Sequence, residues 1–411
     1  MENGEKPAEI AGGPKTEKAR RRANAVIAFF FLAVLALVFF TVAPQKIDEI
    51  RNTIEAGSFT REFSSGFEQN LNATFPSQPV FVNMNGLARR LLLQREMNGV
   101  YRMKNGQQHM LMEDRDDQII RENADSLQQF SEWLDARGIR FLWCQVPQKV
   151  NEEDALLPAG LKDYSNRVAD QFSLYLEERN VPQLDFRKCI AEDGIERSSL
   201  FLKTEHHWSP QGGFYAFQKL CDCLRNRFGE EIPAYVTQLE NYNIDTIERG
   251  SLGYYGQRTG WVFGGFDDFS LIYPKWETRQ SSWAPHKELL REGSFYDAVF
   301  YTDYLNTPWW ERGLYSTYIG GDWPVLVHQS ETAPIDKTVM ILIDSYGTVP
   351  ESFLTTAYKQ VVALDLRWVL RNQMGKTTAE YIEEYQPDIV IVMFNPNQIG
   401  LPNCEQFQYG I

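Results

Sequence analysis

Cysteine and positive charge are both scarce in this sequence of 411 residues, and each scarcity argues against a class of protein. The sequence has five cysteines, and no two of them form a Cys-x-x-Cys pair. An odd number at irregular spacing gives neither a disulfide framework nor a zinc site. The formal net charge is -14, whereas binding to a polyphosphate needs clustered lysine and arginine. We therefore expect no nucleic-acid partner.

Long apolar runs are also rare, because only residues 25–43 form one without a charge. As a helix with a rise of roughly 1.5 Å per residue, this run reaches about 28 Å and matches the hydrocarbon core of a membrane. Basic residues cluster before it, at 15–22. The positive-inside rule then predicts a cytoplasmic tail at 1–24, a retained single-pass anchor and an extracytoplasmic remainder. A cleaved signal peptide is the alternative, but Pro44 would follow the cleavage site, a poor position for cleavage.

The rest of the chain has enough apolar material for a large core, since 43% of its residues are hydrophobic and 13% are aromatic. Residues 44–115 are mixed and polar, which predicts a stalk and an entrance segment. Residues 116–411 form the main domain. Within it, the aromatic- and glycine-rich stretch at about 229–335 interrupts the pattern and is interpreted as an insertion.

On both sides of this insertion, helical and strand patterns alternate along the chain. Such alternation predicts an α/β fold with a parallel, doubly wound sheet, whose functional sites lie beyond the carboxyl ends of the strands. The predicted strands are 139–146, 181–186, 338–343, 360–366 and 388–394, and the predicted helices are 118–137, 162–180, 209–228, one after Pro350, and 377–385.

The loop before the helix at 209–228 has the sequence Thr-Glu-His-His-Trp, at 204–208. The whole chain has only five histidines, and two of them, His206 and His207, lie here beside Glu205. A histidine that acts as a base needs one ring nitrogen toward the nucleophile and the other held by an acceptor. His207 and Glu205 meet this need across a tight turn. The alternatives are a solvated polar loop and a metal site, but adjacent histidines converge poorly on one ion, and no spaced ligand motif supports a metal.

A second segment of interest is the apolar strand that ends in Asp344-Ser345-Tyr346-Gly347. A serine at the carboxyl end of a buried strand projects its hydroxyl into the crevice, where backbone N–H groups of the turn face a developing oxyanion. An ordinary Asp-Ser turn is the alternative for this segment alone. The combination with His207 at the same edge of one sheet favours a serine acyl-transfer site.

Taken in order, several motifs resemble the DHHW-type proteins, which are similar to the alginate O-acetyltransferase family of SGNH hydrolase-like proteins. This resemblance implies a flavodoxin-like parallel sheet that is circularly permuted, with the histidine motif before the serine strand. The motifs are Asn-Gly-Val-Tyr at 98–101, Val-Pro-Gln-Lys at 146–149, the 204–208 segment, Tyr-Ile-Gly-Gly at 318–321, Ile-Asp-Ser-Tyr at 343–346, Asp-Leu-Arg-Trp at 365–368, and Pro-Asp at 387–388.

The resemblance also implies a catalytic triad of Ser345, His207 and Glu205. Two residues depart from the family pattern: Glu205 stands where the family usually has Asp, and Ile343 stands where Gly usually precedes the Asp-Ser pair. Further residues are predicted to bind the oxyanion or the substrate, namely Asn395 with Asn397 second, Arg367 and Tyr346. For Arg367 a structural salt bridge is the alternative.

The function implied by the resemblance is O-acetylation of a cell-surface or exported polysaccharide at the cell membrane, without a cofactor or a metal. The expected partner is a polytopic membrane-bound O-acyltransferase that supplies the acyl group. A carbohydrate esterase, in which water accepts the acyl group from the same triad, is an alternative. A non-catalytic glycan-binding subunit of an acylation complex is another. Aromatic residues of the insertion, such as Tyr254 and Trp310, either stack on sugar rings or pack in the core.

Overall fold

The structure is a computed structural model that describes residues 78–411, except 152–155, 286–287, 309 and 372–374, together with four residues between 25 and 33. The predicted anchor at 25–43 therefore lies almost wholly outside the described residues. Among the residues described, no helix is both long enough and apolar enough to cross a membrane.

Helices and strands alternate through most of the described chain. The strands are β1 (Glu96–Met97), β2 (Val100–Arg102), β3 (Gln108–His109), β4 (Arg140–Gln145), β5 (Gln183–Asp185), β6 (Tyr242–Ser251), β7 (Asp267–Pro274), β8 (Gln280–Ala284), β9 (Glu288–Gly293), β10 (Val325–Ser330), β11 (Ile335–Ile343), β12 (Tyr358–Leu364) and β13 (Ile389–Phe394). The α-helices are α1 (Gln78–Leu91), α2 (Asp117–Asp135), α3 (Ser165–Glu178), α4 (Phe186–Glu192), α5 (Pro210–Phe228), α6 (Ala234–Thr237), α7 (Tyr254–Thr259), α8 (Trp261–Gly264), α9 (Phe295–Val299), α10 (Thr348–Leu354), α11 (Leu366–Arg371) and α12 (Thr378–Tyr385).

The main sheet has the strand order β5-β4-β13-β11-β12-β10-β8-β9. Its first five strands are parallel, as predicted, with β11 between β13 and β12. The other three strands, β10, β8 and β9, pair antiparallel with their neighbours and come from the segment at 229–335. The predicted parallel sheet is thus present, and the segment at 229–335 extends it to a mixed sheet.

Buried apolar residues on both faces explain why the central strands form. In β11, Val339 and Ile341 pack in the cluster that contains the apolar side of α5. Met340 and Leu342 point the other way, into the cluster built with α2 and α3. Successive side chains of a strand alternate between its faces, so a continuous apolar run is what a strand covered by helices on both sides requires.

The predicted helices and strands outside the segment at 229–335 are present, with ends shifted by a few residues. One shift is at the second predicted strand, which ends at Asp185 because the carboxylate of Asp185 caps α4 by accepting a hydrogen bond from the Arg187 N–H. Another is that α10 begins at Thr348, so that Pro350 lies in its first turn, where a missing N–H is tolerated.

The start of α5 is fixed by its sequence. The Ser209 hydroxyl accepts a hydrogen bond from the Gly212 N–H, and Pro210 occupies the first helical position. Gly213 lies against Val349 of α10 so closely that a Cβ atom there would overlap with the valine side chain. This close packing brings the loop that precedes α5 next to the turn that precedes α10.

Candidate active site

The loop at 201–208 is held as a short antiparallel hairpin directly before α5. Phe201 and Trp208 form a β-bridge across it, and the Leu202 N–H donates to the His207 carbonyl at 3.2 Å. Ser345 lies on the turn between β11 and α10. Because α5 packs against α10, the hairpin and this turn meet at the carboxyl edge of the parallel strands.

His207 and Ser345 are in direct contact at this edge. The His207 Nε2 atom lies 2.7 Å from the Ser345 Oγ atom, which is hydrogen-bonding distance. The Tyr315 ring stacks on the imidazole of His207, with ring centroids 4.0 Å apart and planes 3° from parallel. The imidazole is therefore fixed in an orientation that suits proton transfer from the serine hydroxyl.

Glu205 occupies a different position from the one that the sequence analysis predicted. Its Oε1 atom lies 2.5 Å from Nδ1 of His206 and 3.6 Å from Nδ1 of His207. Among the described residues, Nδ1 of His207 has no hydrogen-bond partner. The carboxylate is held there because it accepts hydrogen bonds from the backbone N–H groups of its neighbour His206 and of the distant Tyr254, at 2.8 and 2.7 Å. These donors hold it beside His206, which was expected to point away.

Glu205 and His207 have strongly shifted pKa values. Burial alone would raise the pKa of Glu205, but the hydrogen bond from His206, the charges of His206 and His207, and the Tyr254 N–H outweigh it and lower the pKa to about 2. Burial, followed by the charge of His206, lowers the pKa of His207 well below its usual range, while Glu205 acts in the opposite direction. The structure therefore favours an ionised carboxylate next to a neutral imidazole, the form that accepts a proton.

A buried lysine and a buried aspartate hold the loop at 201–208, here called the histidine loop, through hydrogen bonds to its backbone. Lys149 is only 1% exposed, and its ammonium group donates to the carbonyls of Gln108, Leu202 and Glu205 at 2.6–2.8 Å. The carboxylate of Asp267 accepts from the backbone N–H groups of residues 203 and 204. This part of the loop is thus fixed through both its donors and its acceptors, as pre-organisation of a site requires.

Hydrogen bonds also fix the turn that carries Ser345. The Asp344 carboxylate accepts from the N–H groups of Tyr346 and Asn395 at 2.9 and 2.7 Å, and so joins the ends of β11 and β13. The Tyr346 hydroxyl donates to the carbonyl of His206 at 2.7 Å. The Asn395 side-chain oxygen accepts from the side-chain amide of Gln148 at 2.6 Å.

A cavity of about 450 Å³ opens at the serine, and some of the predicted binding residues border it. Ser345, His207 and Arg367 border this cavity, whereas Asn395 and Tyr346 are not among its lining residues. The Tyr346 hydroxyl joins the serine turn to the loop at 201–208, and the Asn395 side chain joins the end of β13 to Gln148. Their part in binding the oxyanion or the substrate stays a prediction. Asn397, the second candidate for the oxyanion, lies in a neighbouring cavity.

Arg367 is an ion-paired group at the border of the serine cavity. Its guanidinium contacts the carboxylates of Asp365 and Asp322. Burial alone would lower the pKa of Arg367, but the hydrogen bond with Asp365 and the neighbouring carboxylates raise it above the usual range. The cation is therefore permanent, and it is among the charges that lower the pKa of His207.

Within the described part of the chain, the loop at 201–208 has the one cluster of side chains that could hold a metal ion. Ligand atoms of Glu205, His206 and His207 lie within 4.8 Å of one another. Ligands of one tetrahedral ion with metal–ligand distances of about 2.1 Å lie roughly 3.4 Å apart. The separation of 2.5 Å between Glu205 and His206 is that of a hydrogen bond and is too short for such a pair. The absence of a metal stays a prediction that this geometry favours.

Comparison with known proteins supports the resemblance noted in the sequence. Residues 106–256 match a family model described as an SGNH hydrolase-like domain, acetyltransferase AlgX. The fold is similar to that of PatB1 from Bacillus cereus, with a TM-score of 0.60 and 16% identity over 74% of this chain and 97% of that one. It is also similar to a DHHW family protein from Eubacterium siraeum, with a TM-score of 0.58 and 18% identity over 76% and 95% of the two chains.

The resemblance to the DHHW and SGNH hydrolase-like proteins is confirmed. The described part of the chain has an SGNH hydrolase-like fold with a mixed sheet. PatB1 has also been solved with a sulfonyl adduct, and that structure has a TM-score of 0.58 and 15% identity over 75% of this chain and 99% of that one. No curated protein matches the sequence.

Several residues of this candidate site were not foreseen from the sequence. Tyr315, Asp322 and Gln257 border the cavity and come from the segment at 229–335, for which the sequence analysis named other aromatic residues as possible sugar contacts. Their positions depend on the fold of a long segment, so no local pattern distinguishes them. Lys149 did carry a signal, because it stands in the Val-Pro-Gln-Lys motif, but the sequence did not indicate that its ammonium group is buried.

Proposed function

We propose that this protein is a serine O-acetyltransferase that acetylates a polysaccharide. The observation that carries the proposal is the 2.7 Å contact between His207 Nε2 and Ser345 Oγ at an open cavity. The description of the matching family model as an acetyltransferase supports the choice among reactions.

In the proposed reaction, the Ser345 hydroxyl attacks the carbonyl carbon of an acetyl donor while His207 takes its proton. The tetrahedral intermediate then expels the donor's leaving group, which receives that proton, and acetyl-Ser345 remains. A sugar hydroxyl repeats the sequence in reverse: it attacks the acetyl group, gives its proton to His207, and frees Ser345 when this proton returns to the serine oxygen. The products are the O-acetylated sugar and the unmodified enzyme.

Charges around the serine support each of these steps. Glu205 is ionised, and at 3.6 Å from His207 Nδ1 it stabilises the imidazolium that forms when the serine proton is taken up. Arg367 is the cation that borders the cavity, and we assign it to the negative charge that develops on the substrate oxygen.

The proposal includes the location and the source of acetyl groups. The apolar run at 25–43 would anchor the protein in the cell membrane, with the catalytic domain on the extracytoplasmic side. A polytopic membrane-bound O-acyltransferase would deliver the acetyl group there. The membrane anchor is supported by the basic residues before the run and by the absence of any other comparable run in the sequence.

Two alternatives share the same site. An esterase would use water as the acceptor, and the open cavity admits it. A non-catalytic glycan-binding subunit is favoured by one observation, namely that Nδ1 of His207 lacks a hydrogen bond to Glu205.

One experiment separates the three functions. The full-length protein is incubated with p-nitrophenyl acetate, with and without oligosaccharide, and the products are identified by mass spectrometry. Acetylated oligosaccharide supports the transferase, and free acetate alone in both cases supports the esterase. In parallel, a serine-directed phosphonate should label Ser345 in the unaltered protein and leave the Ser345→Ala variant unlabelled. If neither labelling nor turnover occurs, the chain only binds the glycan.

A further inference from the structure

A second cavity, of about 500 Å³, adjoins the one that contains Ser345. The two cavities share two lining residues, His206 and Tyr254. None of the catalytic steps above uses the second cavity. Because the shared residues border both spaces, a ligand that passes over Tyr254 occupies both cavities at once.

Tyr254 lies between the two cavities and is held in place by its neighbours. Its backbone N–H donates to Glu205, and its hydroxyl accepts a hydrogen bond from the Arg258 guanidinium at 2.9 Å. The guanidinium also lies 5.4 Å from the ring centroid. The tyrosine remains 48% exposed. A tyrosine held in this way offers a rigid apolar face and loses little entropy when a ligand stacks on it.

The lining of the second cavity combines apolar and amide side chains. Met110 and Leu401 supply apolar surface, while Asn397 and Gln398 supply amide groups that donate and accept hydrogen bonds. A sugar ring needs this combination, because its C–H face is apolar and its hydroxyls need both donors and acceptors. Asn397 and Gln398 lie on the turn directly after β13.

The charges of both cavities indicate which glycan fits. Their lining includes the carboxylates of Glu205, Asp322 and Glu113 and the guanidinium groups of Arg367 and Arg115. Arg367 is already paired with aspartates. With three carboxylates against two arginines, the lining has no excess of positive charge. A polyanionic glycan would need such an excess to offset its own charge.

We propose that the second cavity is a subsite for a neutral glycan chain, which runs across Tyr254 and presents one of its hydroxyls to Ser345. This inference rests on the proposed acetyl transfer for its purpose, but glycan binding does not depend on the chemistry. The acceptor is thus a polymer or long oligomer, and a mono- or disaccharide fills only part of the site.

The test measures equilibrium binding to the full-length Ser345→Ala variant, which cannot turn over, by titration calorimetry. The probes are neutral chito-, cello- and manno-oligosaccharides of two and six sugars, and an anionic mannuronate hexamer. At least one neutral hexamer should bind about tenfold or more tightly than its dimer. Equal affinity of dimers and hexamers, binding of no neutral hexamer, or tighter binding of the anionic hexamer would each overturn the proposal.

Variants locate the effect in the second cavity. Asn397 is exposed, so Asn397→Trp in the Ser345→Ala background fills the cavity without disturbing the core, and it should reduce the hexamer-to-dimer ratio to about one. Gln398→Ala removes one amide and should reduce the ratio by a smaller factor. Asn226→Trp, at an exposed position on α5, is the matched control and should keep the full ratio. If Asn397→Trp also keeps the full hexamer-to-dimer ratio, the glycan does not bind in the second cavity. Failure of acetyl transfer with intact length-dependent binding would refute only the proposed function.

Discussion

Two histidine–carboxylate pairs in this fold differ in what surrounds them. His328 and Glu351 form a contact of 3.0 Å, and both residues are almost completely buried. The pair links β10 to α10 and does not border the cavity at Ser345. His207 and Glu205 are also buried, but His207 directs its Nε2 atom at a serine hydroxyl beside that cavity. A histidine next to a carboxylate is therefore not sufficient to indicate catalysis.

The carboxylates of the two pairs also differ in their pKa values, in opposite directions. Burial raises the pKa of Glu351, and the hydrogen bond from His328 opposes this only in part. Glu205 is equally removed from solvent, yet its pKa falls to about 2 because two histidines and the Tyr254 N–H favour its charged form. The number of donors, rather than the depth of burial, decides whether a buried carboxylate is available as an anion.

The largest expected effect separates the two pairs by activity. Ser345→Ala and His207→Ala should each lower kcat for p-nitrophenyl acetate by a factor of about 10⁴, because each removes a group that takes part in every step. The matched control, His328→Gln, should retain the specific activity of the folded protein. An activity loss of similar size in His328→Gln would show that the comparison is wrong.

The next effect concerns stability. His328→Ala leaves the Glu351 carboxylate buried without its partner, and it should lower the free energy of unfolding by about 3–5 kcal/mol. Urea denaturation of the full-length protein measures this change. Replacing both residues by leucine should recover much of the loss, since no buried charge is then left unpaired. If the His328→Ala variant is as stable as the unaltered protein, Glu351 is already protonated in the folded state.

The strands of the main sheet show how far the sequence predicts the fold. Strands such as β11 and β13 were predictable because continuous apolar runs of strand length leave few other structures. The antiparallel strands β8, β9 and β10 were not, because the segment at 229–335 has no regular alternation. There β10 pairs with β12, which is a long-range contact, and β8 and β9 join the sheet through β10. The mixed sheet is a consequence of tertiary structure that local patterns do not encode.

The candidate site shows the same division between local and distant determinants. Ser345 and His207 were found because each has a local context, the end of an apolar strand and the start of a capped helix. The orientation of Glu205 was missed, because it depends on a hydrogen bond from Tyr254, far along the chain. The stacking of Tyr315 on His207 also depends on the segment at 229–335, to which both Tyr254 and Tyr315 belong. Side-chain partners chosen by such contacts are beyond sequence patterns.

A smaller effect tests the role of Glu205. Glu205→Gln keeps the size of the side chain and removes the charge near the imidazolium. Because the carboxylate lies 3.6 Å from His207 Nδ1, we expect kcat to fall by about 10²–10³, less than the roughly 10⁴ typical of a carboxylate that is hydrogen-bonded to the base. His206→Ala should cost no more than about tenfold, since it frees Glu205 to approach His207. A larger loss in His206→Ala than in Glu205→Gln would assign the base to His206.

The smallest effect is a pair of opposite shifts in the pH profile. His207 must be neutral to act as the base, so kcat/KM falls as the pH falls through its pKa. That pKa is lowered by burial and by the charge of His206 and raised by Glu205, so the acid limb of the unaltered protein should lie below the usual histidine range near 6.5. Glu205→Gln removes an attractive charge and should move the limb to lower pH. His206→Ala removes a repulsive charge and should move it to higher pH.

Glu205 has a pKa of about 2 and stays ionised throughout such a measurement, so it adds no limb of its own. His328→Gln should leave the limb in place, because His328 is not among the groups that shift the pKa of His207. Shifts in the same direction for the two loop variants would mean that the limb does not report His207.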